Sequence, residues 1–543
     1  MTQHPFAISL DVGSSRANHT GSWRTERPVY VELTAPCGAA CPAGEDVRGW
    51  LYDAEDGSYE RAWRRLVETN PFPAVMGRVC YAPCQTACNR GQLDEAVGIH
   101  AVERFLGDRA LEAGWQLPAP GPASGRSVLV VGAGPSGLSA AYQLRRLGHE
   151  VTVVDAGSEP GGMMRYGIPE YRLPRDVLAA EVQRVLDLGV RLVPDQTVTD
   201  IAVEMAAGGF DACVLAVGAP LGRRVDVPAG DAARVLDAVR VLHDVASGAP
   251  PALGRRVAVY GGGNTALDTA RTARRLGASE ALVVYRRDQE HMPAHAEELR
   301  DALAEGVEMR WLSTVRSFAD GALMVERMEL DETGWPQPTG ELELLPADAL
   351  VLALGQDVER DLLTTVPGGD LEHGTVRVDD DLMVVPGVFA AGDVATDDRT
   401  VTRGVGQGRR AALGVDAWLR GQRPAAPPAA SVVPLSSMNT WYYSDAPAST
   451  QHVLEAARRT TSFDEVVEGL DSDTALFEAR RCLSCGSCFE CDNCFGACPD
   501  SAVIKLGKGL RYEIDLDYCK GCGICATECP CGAIEMRPEP GAG

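Results

Sequence analysis

Eleven of the seventeen cysteines lie from Cys482 onward, and their spacing is that of a redox site. Cys488-x2-Cys491-x2-Cys494-x3-Cys498-Pro499 is followed by Cys519-x2-Cys522-x2-Cys525-x3-Cys529-Pro530. Three closely spaced thiolates hold three corners of one 4Fe-4S cubane, and the fourth, turned away by its proline, reaches the other. The expected ligand sets are Cys488, Cys491, Cys494 and Cys529 for one cluster, and Cys519, Cys522, Cys525 and Cys498 for the other. A zinc ribbon would call for two CxxC pairs, not triplets ending in Cys-Pro. Disulfides would consume thiols that must stay reduced.

A different chemistry occupies the long middle of the chain. Val128-Leu-Val-Val-Gly132-Ala-Gly134-Pro-Ser-Gly137-Leu reads as a strand, a G-x-G-x-x-G turn and a helix to about Leu147. Gly132 makes the tight turn, Gly134 admits a pyrophosphate, and Gly137 brings helix and strand together. The next strand ends in Asp155, placed for a ribose hydroxyl pair. A second unit, Val257-Ala-Val-Tyr-Gly261-Gly-Gly263-Asn264-Thr-Ala266, has Ala in place of the third glycine. Its following strand ends in Arg286-Arg287, where a carboxylate would repel a 2'-phosphate and a guanidinium can pair with it. That favours NADPH, although two solvated arginines beside an NADH site, with Asp288 adjoining, remain the alternative.

A third signature is Gly387-Val-Phe-Ala-Ala-Gly392-Asp393, followed by Gly404-Val-Gly406-Gln-Gly408 opening an Ala-rich helix. In flavoproteins with two dinucleotide units, such a Gly-Asp sets its carboxylate on the FAD ribityl chain. The strands at Asp211–Gly218 and Ala349–Gly355 read as the two crossings between the FAD and nicotinamide units. Cys213, in the first of them, reads as core packing. No CxxC adjoins the flavin, which excludes a disulfide reductase of the thioredoxin or glutathione kind. Cofactors carry the chemistry, and the protein positions them.

These residues must be held by several units, because 543 residues are too many for one core. Apolar strands alternate with helical stretches between Pro118–Gly125 and a Pro-rich linker over Gly421–Ala430, which is the α/β pattern. Thr460 to Arg481 is expected to be a helix burying Phe463, Val466, Val467, Leu470, Leu476 and Phe477. The chain carries 76 acidic and 51 basic residues, net -25, a field that repels nucleic acid and anionic membranes. No stretch of about 18 apolar residues appears, so no membrane span is expected. The absence of a signal-like run before Pro36, together with reduced thiols, points to the cytoplasm.

At Gly161-Gly-Met-Met-Arg-Tyr-Gly-Ile-Pro169-Glu-Tyr-Arg-Leu-Pro174 the sequence resembles the small (beta) subunit of NADPH-dependent glutamate synthase. Its relatives are the N-terminal part of dihydropyrimidine dehydrogenase and the large subunit of NADH-dependent ferredoxin:NADP oxidoreductase. Asn70-Pro-Phe-Pro-Ala-Val-Met-Gly-Arg-Val-Cys80 and Gly261–Asp268 match the same group, and the likeness covers roughly residues 30 to 420. The resemblance implies FAD, NADPH and two N-terminal 4Fe-4S clusters in a small helical domain, with Gly162 and Arg165 among the cofactor contacts. The chain departs from the family in lacking an Arg-Cys-x-x-Cys pair before Cys37-x3-Cys41-Pro42, yet Arg481-Cys482-Leu-Ser-Cys485 resembles that pair. By carry-over, Cys482, Cys485, Cys37 and Cys88 would hold one N-terminal cluster, and Cys41, Cys80, Cys84 and Glu103 the other. Two alternatives stand beside this: Cys482 and Cys485 are spare, or Glu103 is an ordinary helix residue.

The expected architecture is α/β, with two Rossmann-like dinucleotide-binding domains for FAD and NADPH, the second inserted in the first. A helical iron–sulfur domain precedes them and a ferredoxin-like α+β domain follows. Boundaries are expected at 1–124, 125–222 with 348–422, 223–347, a linker and strap helix at 423–481, and 482–543. The expected activity is electron transfer between NADPH and a protein acceptor through FAD and four clusters, in either direction. The expected partner is a larger catalytic subunit or low-potential acceptor: an oxoacid:acceptor oxidoreductase, a glutamate synthase large subunit or a ferredoxin. A genuine glutamate synthase small subunit is the second enzyme reading. A ferredoxin-bearing scaffold with vestigial nucleotide sites is the non-enzyme reading.

Overall fold

A computed structural model of the chain describes residues 19–223, 225, 227–229, 234–366, 371–372, 374–422 and 431–540. All but the first two residues of the expected linker at Gly421–Ala430 therefore lie outside the described residues.

Two parallel sheets form the middle. The first runs in the order Met383–Val385, Val388–Ala390, Ala212–Leu215, Ser127–Val131, Glu150–Val154, Arg191–Val193, parallel except for its first pair. Val128, Leu129 and Val130 are fully buried, each burial stabilising by about 1.5–3 kcal/mol. The continuous apolar run is what a strand covered on both faces requires. The second sheet orders Val307–Arg310, Glu280–Val284, Arg256–Tyr260, Ala349–Leu352 and Val235–Asp237, all parallel. Ala349–Leu352 thus belongs to the nicotinamide-side sheet, so the return to the first sheet falls after Leu352 and not at the expected 347/348 boundary. The two crossing segments also pair with each other, Leu221–Gly222 against Gln356–Asp357.

Short helices before residue 114 enclose a core of Trp50, Leu51, Leu66, Val102 and Leu106. At the other end, helices Asn493–Ala497 and Ile524–Thr527 flank the hairpin Val503–Gly507/Arg511–Ile514. The strand that completes this unit comes from the opposite end of the chain. Glu26–Tyr30 pairs antiparallel with Ile534–Pro538, and Arg24 pairs with Glu539 at 2.7 Å.

The helix expected over Thr460–Arg481 is corrected by the structure. Only Ser472–Arg480 is helical, started by Asp471, whose carboxylate accepts from the Thr474 amide. The stretch before it is extended: Val467 bridges Val453, and the Val466 amide donates to Tyr171 O at 2.9 Å. Gly469 and the Ser462–Asp464 turn favour this path over continuous helix. Phe477, expected inside, is 45% exposed. The extended stretch still straps the chain, since Arg104 Nη1 donates to Val467 O at 2.7 Å.

Candidate functional site: nucleotide folds joined to four cysteine sets

The first glycine turn links the strand Ser127–Val131 to the helix Pro135–Arg146, with Gly134 as its N-cap and Pro135 at the first helical position. A side chain at Gly134 would meet nothing nearer than Gly162 Cα at 4.0 Å. The space before the helix N-terminus is therefore the kind a pyrophosphate fills. Gly161 N donates to Ala133 O at 2.8 Å, which lays the Gly161-Gly162 loop over the turn. Asp155 accepts from Ala133 N and, at 2.7 Å, from Gly157 N. A carboxylate has about four acceptor positions, so capacity remains for a ribose. Arg165 donates to Pro160 O at 2.8 Å and pairs with Glu159. Gly392 N donates to Gln407 Oε1 at 2.6 Å, setting the Gly-Asp turn against the helix Val401–Leu419. Burial pushes the neighbouring Asp393 carboxyl up to about 6.

The second turn opens on a cavity of about 530 Å3 lined by Gly261, Gly262, Gly263, Thr265, Arg286 and Arg287, among others. A Cβ at Gly263 would meet nothing within 4 Å, and Ala266 is fully buried behind it. Asn264 Oδ1 accepts from His295 N at 3.0 Å, bracing the mouth. Arg287 Nε donates to Tyr285 Oη at 3.0 Å, and the Arg286 guanidinium sits 5.0 Å over the Trp335 ring. Asp288, which complicates the local charge, is engaged by His291 at 2.7 Å.

Four sets of possible iron ligands are gathered. Cys41, Cys80 and Cys84 interact electrostatically with Glu103, which is 5% exposed on the helix Ile99–Ala113. Burial, and then the charges of Cys80, Cys41, Glu103 and Glu45, push the Cys84 thiol up. Glu45 is a second buried carboxylate there, which the sequence reading missed. Asn70 Nδ2 donates to Glu45 Oε1 and Glu103 Oε1, both at 2.9 Å. Burial holds both acids above the ordinary carboxylate range, and among the described residues no Arg or Lys pairs with either. Buried thiols and an acid without a cation suit a ferric–ferrous cluster, which supplies the missing positive charge.

Cys37, Cys88, Cys482 and Cys485 meet in one core with Leu483, Val433 and Met438. Burial raises the Cys482 thiol, and the charges of Cys485, Cys37 and Cys88 raise it further. In the tail, the Cys529 charge acts on Cys488 and Cys491 more strongly than that of any other thiol, and the Cys498 charge does so on Cys519. The expected exchange of the fourth ligand calls for these same pairings. Cys491 and Cys522 are exposed, and Cys494, Cys519, Cys525 and Cys529 are buried. Among the described residues no three His, Cys, Asp or Glu groups converge on a single metal ion.

The sets adjoin one another and the flavin side. A Cβ at Gly406 would lie 1.9 Å from Pro42 O, so the bare α-carbon lets the helix Val401–Leu419 seat on the Cys41-Pro42 turn. Thr402, buried at the start of that helix, donates its hydroxyl to Met76 Sδ at 3.6 Å. Cys485 and Cys488 are separated by Gly486 and Ser487 alone. Tyr443 Oη donates to Leu483 O at 2.9 Å and approaches Pro530 O at 3.4 Å, tying the two loops together. Cys213 is fully buried in its strand, away from any set.

The family described as pyridine nucleotide-disulphide oxidoreductase matches residues 126–412. Dihydropyrimidine dehydrogenase domain II, 4Fe-4S cluster, matches residues 24–115, and a 4Fe-4S binding domain matches residues 512–535. The chain is 35% identical to the NADP(+)-dependent formate dehydrogenase subunit beta of Moorella thermoacetica, over 83% of this chain and 71% of that one. It is 33% identical to the putative oxidoreductase YgfK of Escherichia coli O157:H7 over 94% of its own length, spanning 50% of that protein. It is 33% identical to the glutamate synthase (NADPH) small chain of Azospirillum brasilense, over 72% of this chain and 87% of that one.

Proposed function

Since the chain belongs to the pyridine nucleotide-disulphide oxidoreductase family, in the branch of the glutamate synthase small chain, we propose that it is the NADPH-oxidising, electron-distributing subunit of a larger enzyme. FAD supplies the conversion of a two-electron hydride into single electrons, and 4Fe-4S clusters carry those electrons onward.

The chain's residues hold these groups in place. The turn at Gly132, Gly134 and Gly137, with Gly162 over it, receives the FAD pyrophosphate, Asp155 the ribose and Gly392-Asp393 the ribityl chain. Arg165 stays with Glu159 at the edge of that loop. Gly261, Gly263, Asn264 and Ala266 receive the NADPH pyrophosphate at a helix N-terminus. Arg286 and Arg287 pair with its 2'-phosphate. Cys41, Cys80, Cys84 and Glu103 hold the cluster beside the flavin, and Cys37, Cys88, Cys482 and Cys485 the next. The two tail sets hold the last two. Fifteen cysteines and Glu103 then make sixteen ligands for four cubanes, leaving Cys213 and Cys531 outside. The domains follow this division, with Glu26–Tyr30 serving the tail.

The observation that carries this reading is the seating of the flavin-side helix on Pro42 through Gly406, next to Cys41. The partner is a larger catalytic subunit or a low-potential acceptor protein. The relatives' names, a subunit beta and a small chain, support that. Among the described residues no helix is long and apolar enough to cross a membrane, and the thiol-rich chain suits the cytoplasm. The test is anaerobic addition of NADPH to the purified protein. Flavin absorbance should bleach and paramagnetic signals of reduced clusters should rise with it; bleaching with every cluster left oxidised refutes the path.

A further inference from the structure

We propose that Tyr30 sets the redox potential of the cluster held by Cys488, Cys491, Cys494 and Cys529, by hydrogen-bonding one of its ligand sulfurs. The inference rests on the ligand assignment above and goes beyond it. Tyr30 Oη lies 3.2 Å from Cys494 Sγ, a contact between residues 464 positions apart. A cysteine that ligates iron is a thiolate without a proton, so the tyrosine hydroxyl must be the donor. Tyr30 is well suited to that role. A phenol, with an ordinary pKa of about 10, keeps its proton at neutral pH and can donate it to the sulfur.

The hydroxyl is placed by tertiary structure. Tyr30 ends the strand Glu26–Tyr30 and stands opposite Ile534 of the last strand. Its ring stacks on Tyr512 with centroids 6.2 Å apart and planes at 19°. Tyr512 Oη is itself engaged by Asp492 at 2.5 Å. Cys494 is 6% exposed, so water competes poorly for the sulfur. Each tail set also has a backbone donor, since Cys498 Sγ accepts from the Ala502 amide and Cys529 Sγ from the Ala533 amide, both at 3.3 Å, and the Tyr30 hydroxyl comes in addition to the second. A hydrogen bond to a ligand sulfur stabilises the electron-rich reduced cluster more than the oxidised one, and so raises the potential. Tyr30 thus makes the cluster nearest Cys485 the readier electron acceptor of the tail pair.

The test is a potentiometric titration followed by electron paramagnetic resonance, on the full chain with its clusters. Tyr30→Phe keeps the ring and removes the donor, and should move one tail-cluster midpoint to a more negative value while the other stays. Tyr512→Phe, which leaves the sulfur contact intact, should hold both midpoints. Site-specific fluorotyrosine at position 30, a more acidic and stronger donor, should move the same midpoint upward. Unmoved midpoints in the Tyr30→Phe and fluorotyrosine proteins, with iron content intact, overturn the inference alone. If the unmodified protein holds no iron in the tail, the ligand assignment falls and this inference with it.

Discussion

Asn89 Nδ2 lies 3.7 Å from Cys485 Sγ, joining residues 396 positions apart. The contact shows that the chain's tail returns to its beginning before the last cysteines start, and that Cys485 faces the helical domain. Arg90 Nη1 donates to Arg481 O at 2.8 Å beside it, so the return is fastened on both sides of Cys482.

If Cys482 and Cys485 complete a cluster with Cys37 and Cys88, replacing both with Ser should remove about four irons per chain. The tail cubanes keep their own ligands and should remain. Iron analysis with cluster spectroscopy checks this, and an unchanged iron content would refute the assignment.

Arg286 and Arg287 should confer the nucleotide preference. Hydrogen bonds to charged groups contribute about 1.5–3 kcal/mol, so replacing both with Ala should cut kcat/KM for NADPH by about tenfold or more. NADH, which lacks the 2'-phosphate, should be little affected. Steady-state rates with both nucleotides and a flavin-level dye decide it; equal efficiency for both in the unmodified protein would count against the reading.

Arg481 is the cation that closes the fold. Its side chain, 2% exposed, bonds Glu478 at 2.6 Å and the carbonyls of Glu95, Ala96 and Ala446. Arg481→Ala leaves the buried Glu478 without its ion pair and should cost about 3–5 kcal/mol. Arg480→Ala, at the exposed neighbour, should cost well under about 1 kcal/mol. Denaturant unfolding and protease sensitivity near residue 481 compare the two.

His149 should make stability fall in acid. The ring is fully buried, with Nδ1 2.8 Å from Ser124 Oγ and Nε2 2.9 Å from Asp416 Oδ1. That geometry satisfies a neutral ring donating through Nε2, and burial lowers its pKa below the ordinary 6.5. The unfolded chain therefore binds the proton first as pH drops. The contribution is fully present above pH 6.5 and is lost as pH falls toward the folded value. Thermal melts across this range should show a smaller acid-side loss in His149→Gln than in the unmodified protein.

Local motifs were legible in the sequence wherever the chemistry is contiguous. A strand, a glycine turn and a helix occupy about twenty successive residues, so backbone sterics and the helix dipole act on neighbours and leave a readable spacing. The Cys triplets are legible for the same reason, because one short loop must reach three corners of one cluster.

Other features were decided by contacts between distant segments. The run Phe463–Leu470 has apolar residues that suit either a helix or an extended segment, and periodicity does not separate the two in so short a run. Its pairing with Val453 and its bond to Tyr171 made it extended. Glu26–Tyr30 had no partner in its own neighbourhood and found one in Ile534–Pro538. Glu45 carried no spacing signal, and only burial beside Glu103 under one Asn70 amide gave it a place in the site. The sequence by itself determined which cofactors the chain is built to hold, because each fingerprint is local. That Cys482 and Cys485 lie in one core with Cys37 and Cys88, and that the Tyr30 hydroxyl reaches Cys494, was decided by tertiary packing, because those groups meet only after loops of hundreds of residues have closed.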